Sequence, residues 1–406
     1  MRDVVADAFG WIEAAAVPAE GGSCWTEAGV RYDDLYCGTA GVLLACAEAA
    51  SARPSAAAGS AIGRVAAAAR GRLLHLAVGD PAALPDDGLF GGWGGAAVAL
   101  RAWGAAVADP EAAEAAERLT GEIAGRVLRR TPEPDRCTDI IDGDAGIILA
   151  LLGAPGGVEP RQAEAAGRLA DGLVALADER DEGPQWLMGR GYERLMPGFS
   201  HGTAGIAYAL ALTGRALGRD DLVALAVRAA DGLMRMAGFP GRWALPLVVP
   251  PQEHRPPVTF GWCHGPTGTA RLFTLLDAVA PQPRWGEAVE ACLGALRDSR
   301  LPERLYPGYW DNVARCCGTA GVGQFLLDRH AATGDPALLD WAKVLAADVL
   351  SRTVTEPAGV TWSNTEHTKN PPQLPPEPGL MQGSAGVAAW LARLAAPGTP
   401  PLLPWL

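Results

Sequence analysis

The sequence predicts an all-α protein, a closed (α/α) double-layered toroid with seven inner and roughly seven outer helices. It reads as one domain spanning residues 1–406. Three observations carry this expectation. A Gly-x-x-Gly motif recurs seven times, each copy runs on into a small-residue apolar stretch, and charged amphipathic segments fill the intervals. The leading glycines are Gly38, Gly92, Gly143, Gly202, Gly265, Gly318 and Gly383, separated by 54, 51, 59, 63, 53 and 65 residues. One such motif carries no information, but seven at a near-regular period exclude coincidence.

Taken in order, the motif segments are CGTAGVLLACA at 37–47, GGWGGAAVAL at 91–100, DGDAGIILALL at 142–152 and HGTAGIAYALAL at 201–212. HGPTGTARLF at 264–273, CGTAGVGQFLL at 317–327 and QGSAGVAAWLARL at 382–394 complete the series. Their scarcity of charge suits helices packed on most sides. Between them, Asp109-Pro110 opens an amphipathic helix with Asp as N-cap, Pro at the first helical position and Leu119, Ile123 and Val127 on one stripe. Asp335-Pro336 opens another, to about Arg352, and segments 160–179, 219–236 and 284–299 read alike. Seven repeats without polar capping repeats favour a closed ring over an open solenoid. Every motif then opens an inner helix at the same end of the barrel, where the irregular, Pro-rich stretches 180–200, 240–257 and 370–378 also gather.

Composition removes several function classes. With 49% hydrophobic residues the chain easily builds a core, so global disorder is excluded. A formal charge of −12 argues against nucleic acid or an anionic membrane as partner, since both require clustered Lys and Arg. The longest uncharged stretch, 195–214, is broken by Pro197, Ser200, His201 and glycines, so no membrane span is expected. Asp3, Asp7 and Glu13 lie where an export signal would be apolar. The expected compartment is therefore the cytoplasm, and the eight cysteines read as thiols or metal ligands rather than disulfides.

Quasi-symmetric repeats place the residues just before each leading glycine around one mouth. That position holds Cys37, Gly91, Asp142, His201, His264, Cys317 and Gln382. One residue earlier come Tyr36, Phe90, Ile141, Ser200, Cys263, Cys316 and Met381. A purely structural ring would be small and apolar, whereas this one concentrates cysteine and histidine. Cys263, Cys316 and Cys317 fall in neighbouring repeats, and three soft thiolates with an open fourth position suit Zn²⁺. His264 is the nearest candidate for a fourth ligand, which would make the site structural. Cys37 has the ring position but lies two repeats away, while Cys24, Cys46, Cys137 and Cys292 read as ordinary buried thiols. His201 is placed for acid–base work or for capping. Asp139, Asp142 and Asp144 all precede or open the third motif helix, and spacing alone does not choose among them. His75 and His330 read as surface or packing residues.

FSHGTAGI, GWCHGPTG, RCCGTAGV and the terminal WSNTEHTKNPPQLPPEPGLMQGSAGVAAWLARL resemble the LanC family of lanthionine cyclases over essentially the whole chain. The resemblance implies zinc at the open end of the toroid. It implies Michael-type addition of a cysteine thiolate to dehydroalanine or dehydrobutyrine in a dehydrated precursor peptide, closing a (methyl)lanthionine ring. Carried over by motif, the zinc ligands are Cys263, Cys316 and Cys317. The catalytic histidine of S-H-G-x-x-G is His201, and the catalytic aspartate of D-x-I-x-G is Asp139 rather than Asp142. Three positions depart from the usual pattern. Cys317 stands where histidine is common, His264 where tyrosine is common, and Thr259 where arginine is common. No kinase or lyase module is evident, so a separate dehydratase partner is implied. Two other functions remain open: addition of a small thiol such as glutathione to dehydroamino acids, and a zinc-stabilised, non-catalytic peptide-binding partner of a dehydratase.

Overall fold

The structure is a computed structural model and describes residues 3–54, 59–79, 86–131, 135–153, 157–189, 191–241, 243–253, 258–304, 311–366 and 369–406. Among them lie fourteen helices: α1 (Val4–Ala14), α2 (Thr39–Ala52), α3 (Ala61–Val78), α4 (Trp93–Val107), α5 (Pro110–Arg129), α6 (Asp144–Leu152) and α7 (Pro160–Ala175). They continue with α8 (Thr203–Leu217), α9 (Asp220–Met236), α10 (Pro266–Val279), α11 (Pro283–Asp298), α12 (Thr319–Thr333), α13 (Pro336–Ser351) and α14 (Ser384–Leu394). Every even-numbered helix begins one residue after a leading glycine, and the seven odd-numbered helices alternate with them. None of the helices is long and apolar enough to cross a membrane.

The motif has a backbone explanation. The loop before six of the even-numbered helices folds back over the helix start, so that carbonyls seven residues upstream answer the first amides of the helix. Before α10, which opens on Pro266, the Thr267 hydroxyl donates to the Phe260 carbonyl at 2.6 Å instead. Thr203 donates to Met196 at 3.0 Å and Ala204 to Pro197 at 3.2 Å; Thr319 and Ala320 donate to Asn312 and Val313, both at 3.1 Å. These amides have no partner within their own helix, and no side chain caps the helices beginning at Thr203 or Thr319. So close a loop leaves no room for a Cβ. At Gly202 it would fall on the Met196 carbonyl, and at Gly205 on that of Phe199. The glycines are therefore a steric requirement of the loop.

The odd-numbered helices match the sequence expectation. Asp109 accepts from the Ala112 amide at 3.2 Å, Asp335 accepts from Ala337 at 2.9 Å, and Leu119, Ile123 and Val127 are buried. Short antiparallel ribbons were not expected. Strands pair within 17–32, 178–185, 187–195 and 354–361, with positive-φ glycines such as Gly29, Gly183 and Gly359 at or beside their turns. Segment 160–179 accordingly stays helical only to Ala175 before a strand takes over at Asp178.

The chain divides into two compact units. One comprises Met1–Pro85, Gly95–Leu119 and Leu301–Pro404; the other comprises Asp86–Gly94, Thr120–Arg300 and Trp405–Leu406. Deep in the first, Arg315 forms a two-pronged ion pair with Glu48, Nη1–Oε2 2.6 Å and Nη2–Oε1 2.8 Å, with both side chains at most 2% exposed. The second buries an aromatic cluster. Phe90 and Phe199 pack on Trp262 at 5.5 and 5.6 Å between ring centroids, and the Trp262 indole donates to the Trp405 carbonyl at 2.9 Å.

Candidate functional site

The pre-glycine residues named from sequence are joined by backbone hydrogen bonds into one arc in each unit. In the second unit Phe90 donates to Ile141 at 2.8 Å, Ile140 to Ser200 at 3.0 Å and Ser200 to Cys263 at 2.8 Å. In the first, Cys316 donates to Met381 at 2.8 Å and Met381 to Tyr36 at 2.9 Å. The arcs bring loops of different repeats into register, and the side chains ride on that frame.

The second unit's arc assembles an acid–base group. Asp139, 2% exposed, places Oδ2 2.6 Å from Nδ1 of His201, whose side chain is 32% exposed. The other oxygen, Oδ1, accepts the amides of Asp142 and Gly143, each at 3.0 Å, and the Cys137 thiol donates to it at 3.3 Å. A carboxylate held this firmly fixes the imidazole. With Nδ1–H donating to Asp139, the ring presents Nε2 as its proton acceptor. His264 stacks on His201 with centroids 5.6 Å apart and planes 30° apart. Cys263 is buried at the end of the same arc.

The three acids near the third motif divide their work differently from the capping expectation. Asp139 itself accepts the amides just before the helix, whereas Asp142 reaches across to the Gly91 amide of the preceding motif at 3.1 Å. Asp144 opens α6 against Arg136. Burial lifts its pKa to about 6, outweighing the lowering by the Arg136 and Arg130 charges.

In the first unit the Cys316 and Cys317 sulfurs lie 3.5 Å apart, Cys316 buried and Cys317 exposed. Gln382 donates through Nε2 to the Cys317 sulfur at 3.4 Å and to the Tyr36 hydroxyl at 3.1 Å, while Asn312 donates to its Oε1 at 3.2 Å. Sequence reasoning put Gln382 and Tyr36 in the ring but gave them no role, and it passed over Asn312. Cys37 sits 3.5 Å from Asp34 Oδ1, and burial pushes its thiol pKa up. Cys46 and Cys292 are wholly buried and likewise raised. Thr259, at the position of the missing arginine, is half-buried. His75 faces Glu20, and His330 the Asp335 carbonyl, on the surface as expected.

The chain is similar in structure to nisin cyclase, with a TM-score of 0.57 at 14% identity, covering 89% of this chain and 88% of that one. That likeness shows the class of fold, an α/α toroid. A cellobiose 2-epimerase from Spirochaeta thermophila DSM 6192 matches at TM-score 0.46 and 15% identity, covering 98% of this chain and 94% of that one. A model of the lanthionine synthetase C-like proteins matches residues 29–406, and the chain belongs to that family. No curated protein matches it.

Proposed function

We propose that the chain is a zinc-dependent, single-domain peptide cyclase of the cytoplasm. It adds a cysteine thiolate of a dehydrated precursor peptide to dehydroalanine or dehydrobutyrine, forming lanthionine or methyllanthionine. The observation that carries this reading is the buried Asp139 carboxylate 2.6 Å from His201, on the same backbone arc as Cys263. Cys263, Cys316 and Cys317 would hold the ion, as the family's motifs imply, and their sulfurs suit zinc better than a hard cation. The chemistry a bound zinc supplies is a lowered pKa for a peptide thiol, so that it reacts as thiolate.

The protein's own residues then account for the protons. Asp139 orients His201 and stabilises it when protonated. His201 Nε2 takes the thiol proton, the sulfur bonds to the β-carbon, and the carbon–carbon double bond shifts its electron pair onto the carbonyl. The same histidine returns a proton to the α-carbon, so the product is an isomer of the substrate. Dehydration is left to a separate dehydratase partner.

Ring closure leaves mass unchanged but consumes a free thiol, so alkylation of the peptide after incubation measures it. Wild type should leave the peptide unalkylated. His201→Ala should keep zinc and fold while losing about 10²–10⁴ in rate. Unaltered closure by His201→Ala would return the histidine to a structural role, and adducts with added glutathione would establish intermolecular addition instead.

A further inference from the structure

We propose that Gln382 and Tyr36 form a hydrogen-bond clamp on the Cys317 and Cys316 sulfurs, which offsets the excess charge of a three-thiolate site. The inference rests on the zinc reading above. It concerns what allows such a site to work.

Three thiolates on a divalent cation leave a net charge of −1, and a peptide thiolate as the next ligand would make it −2. Each added negative charge weakens attraction for the incoming thiolate. Hydrogen-bond donors aimed at sulfur withdraw some of that charge, and partners of this kind orient and tune metal ligands generally.

The directions of these donors follow from one fixed amide. The Ala314 N–H donates to Asn312 Oδ1 at 2.8 Å, which turns Asn312 Nδ2 toward Gln382. Asn312 Nδ2 donates to Gln382 Oε1 at 3.2 Å, so the Gln382 NH₂ must face the other way. Its two hydrogens meet the Tyr36 oxygen at 3.1 Å and the Cys317 sulfur at 3.4 Å. Because Tyr36 accepts from Gln382, its own hydroxyl hydrogen goes to Cys316, with which it is hydrogen-bonded. A flipped Gln382 would set Oε1 against sulfur and Asn312 Nδ2 against an NH₂ group. The hydrogen bonds of Met381 to Tyr36 and of Cys316 to Met381 hold the three loops in the register this requires.

The test is zinc affinity, by competition with a chromophoric chelator, together with the sulfur-to-metal charge-transfer band of the cobalt-loaded full chain. Gln382→Leu keeps size and removes both donors; Tyr36→Phe removes only the hydroxyl. Each should weaken zinc about 10–100-fold and shift the cobalt band, with the melting temperature of the metal-free chain unchanged. On a Cys317→His background, where a neutral imidazole replaces the thiolate, Gln382→Leu should cost far less. Wild-type affinity and band in both single variants, or an equal loss on both backgrounds, would overturn the clamp while leaving the cyclase reading standing. A wild-type chain that takes up no zinc ends both.

Discussion

Asp34 in the first motif and Asp139 in the third occupy the same place, four residues before a leading glycine. Each turns Oδ1 to the two amides ahead of its helix. Asp34 accepts from Cys37 at 2.9 Å and Gly38 at 3.0 Å, and Asp139 accepts from Asp142 and Gly143 at 3.0 Å. Each also has a cysteine thiol beside it, Cys37 at 3.5 Å and Cys137 at 3.3 Å. They part at the second oxygen. Asp139 Oδ2 holds an imidazole at 2.6 Å, whereas Asp34 Oδ2 looks back at its own thiol at 3.6 Å. One oxygen is enough to hold the loop, so the other can be put to chemical use wherever a neighbouring repeat supplies a histidine.

The sharpest way to break this comparison is to neutralise each acid without removing its amide-accepting oxygen. Asp139→Asn should keep the loop but lose the charge that supports protonated His201, lowering ring closure by about 10²–10⁴. Asp34→Asn should leave turnover near wild type, as read by peptide alkylation. Equal losses would mean that both acids serve only the loops.

The regions also differ in what stands behind their cysteines. Arg315, next to Cys316, is pinned to buried Glu48, while Trp262, next to Cys263, sits in an aromatic cluster. Glu48→Gln would strand a buried guanidinium and should cost about 3–5 kcal/mol in chemical denaturation. A loss under about 1 kcal/mol would show that the pair is not needed to hold α2 against the Cys316 loop.

A smaller effect concerns Asp144. Its folded pKa of about 6 lies above that of an unfolded carboxylate, so the folded state binds the extra proton between those values. This group's contribution to stability is therefore most favourable at low pH and declines as pH rises toward 6, by at most about 3 kcal/mol. Asp144→Asn, which mimics the protonated form, should raise the melting temperature relative to wild type more at pH 7.5 than at pH 4.5. The reverse trend would mean that the Arg136 contact dominates over burial.

The repeat made much of this legible. Seven motif helices start where the glycines placed them, and the mouth positions come together as arcs within each unit. Asp139 owes its selection over Asp142 to a family motif, and its actual partners, the Gly143 amide and His201, belong to different repeats. Pairings of that kind depend on how loops some sixty residues apart align, which local patterns do not encode. The same holds for Gln382, whose spacing fixed its place but whose donors became directional only through Asn312. The ribbons near 17–32 and 178–195 escaped notice because their strands are three to six residues long, too short to show alternation.

The backbone bonds linking Phe90 to Ile141, Ile140 to Ser200 and Ser200 to Cys263 use no side-chain atom. A mutation at the mouth can therefore exchange a reactive group without moving the socket that carries it. Such an arrangement separates inheritance of shape from inheritance of reactivity. It leaves the side chains of Phe90, Ile141, Ser200 and Cys263 open to change while the bonds between their loops persist.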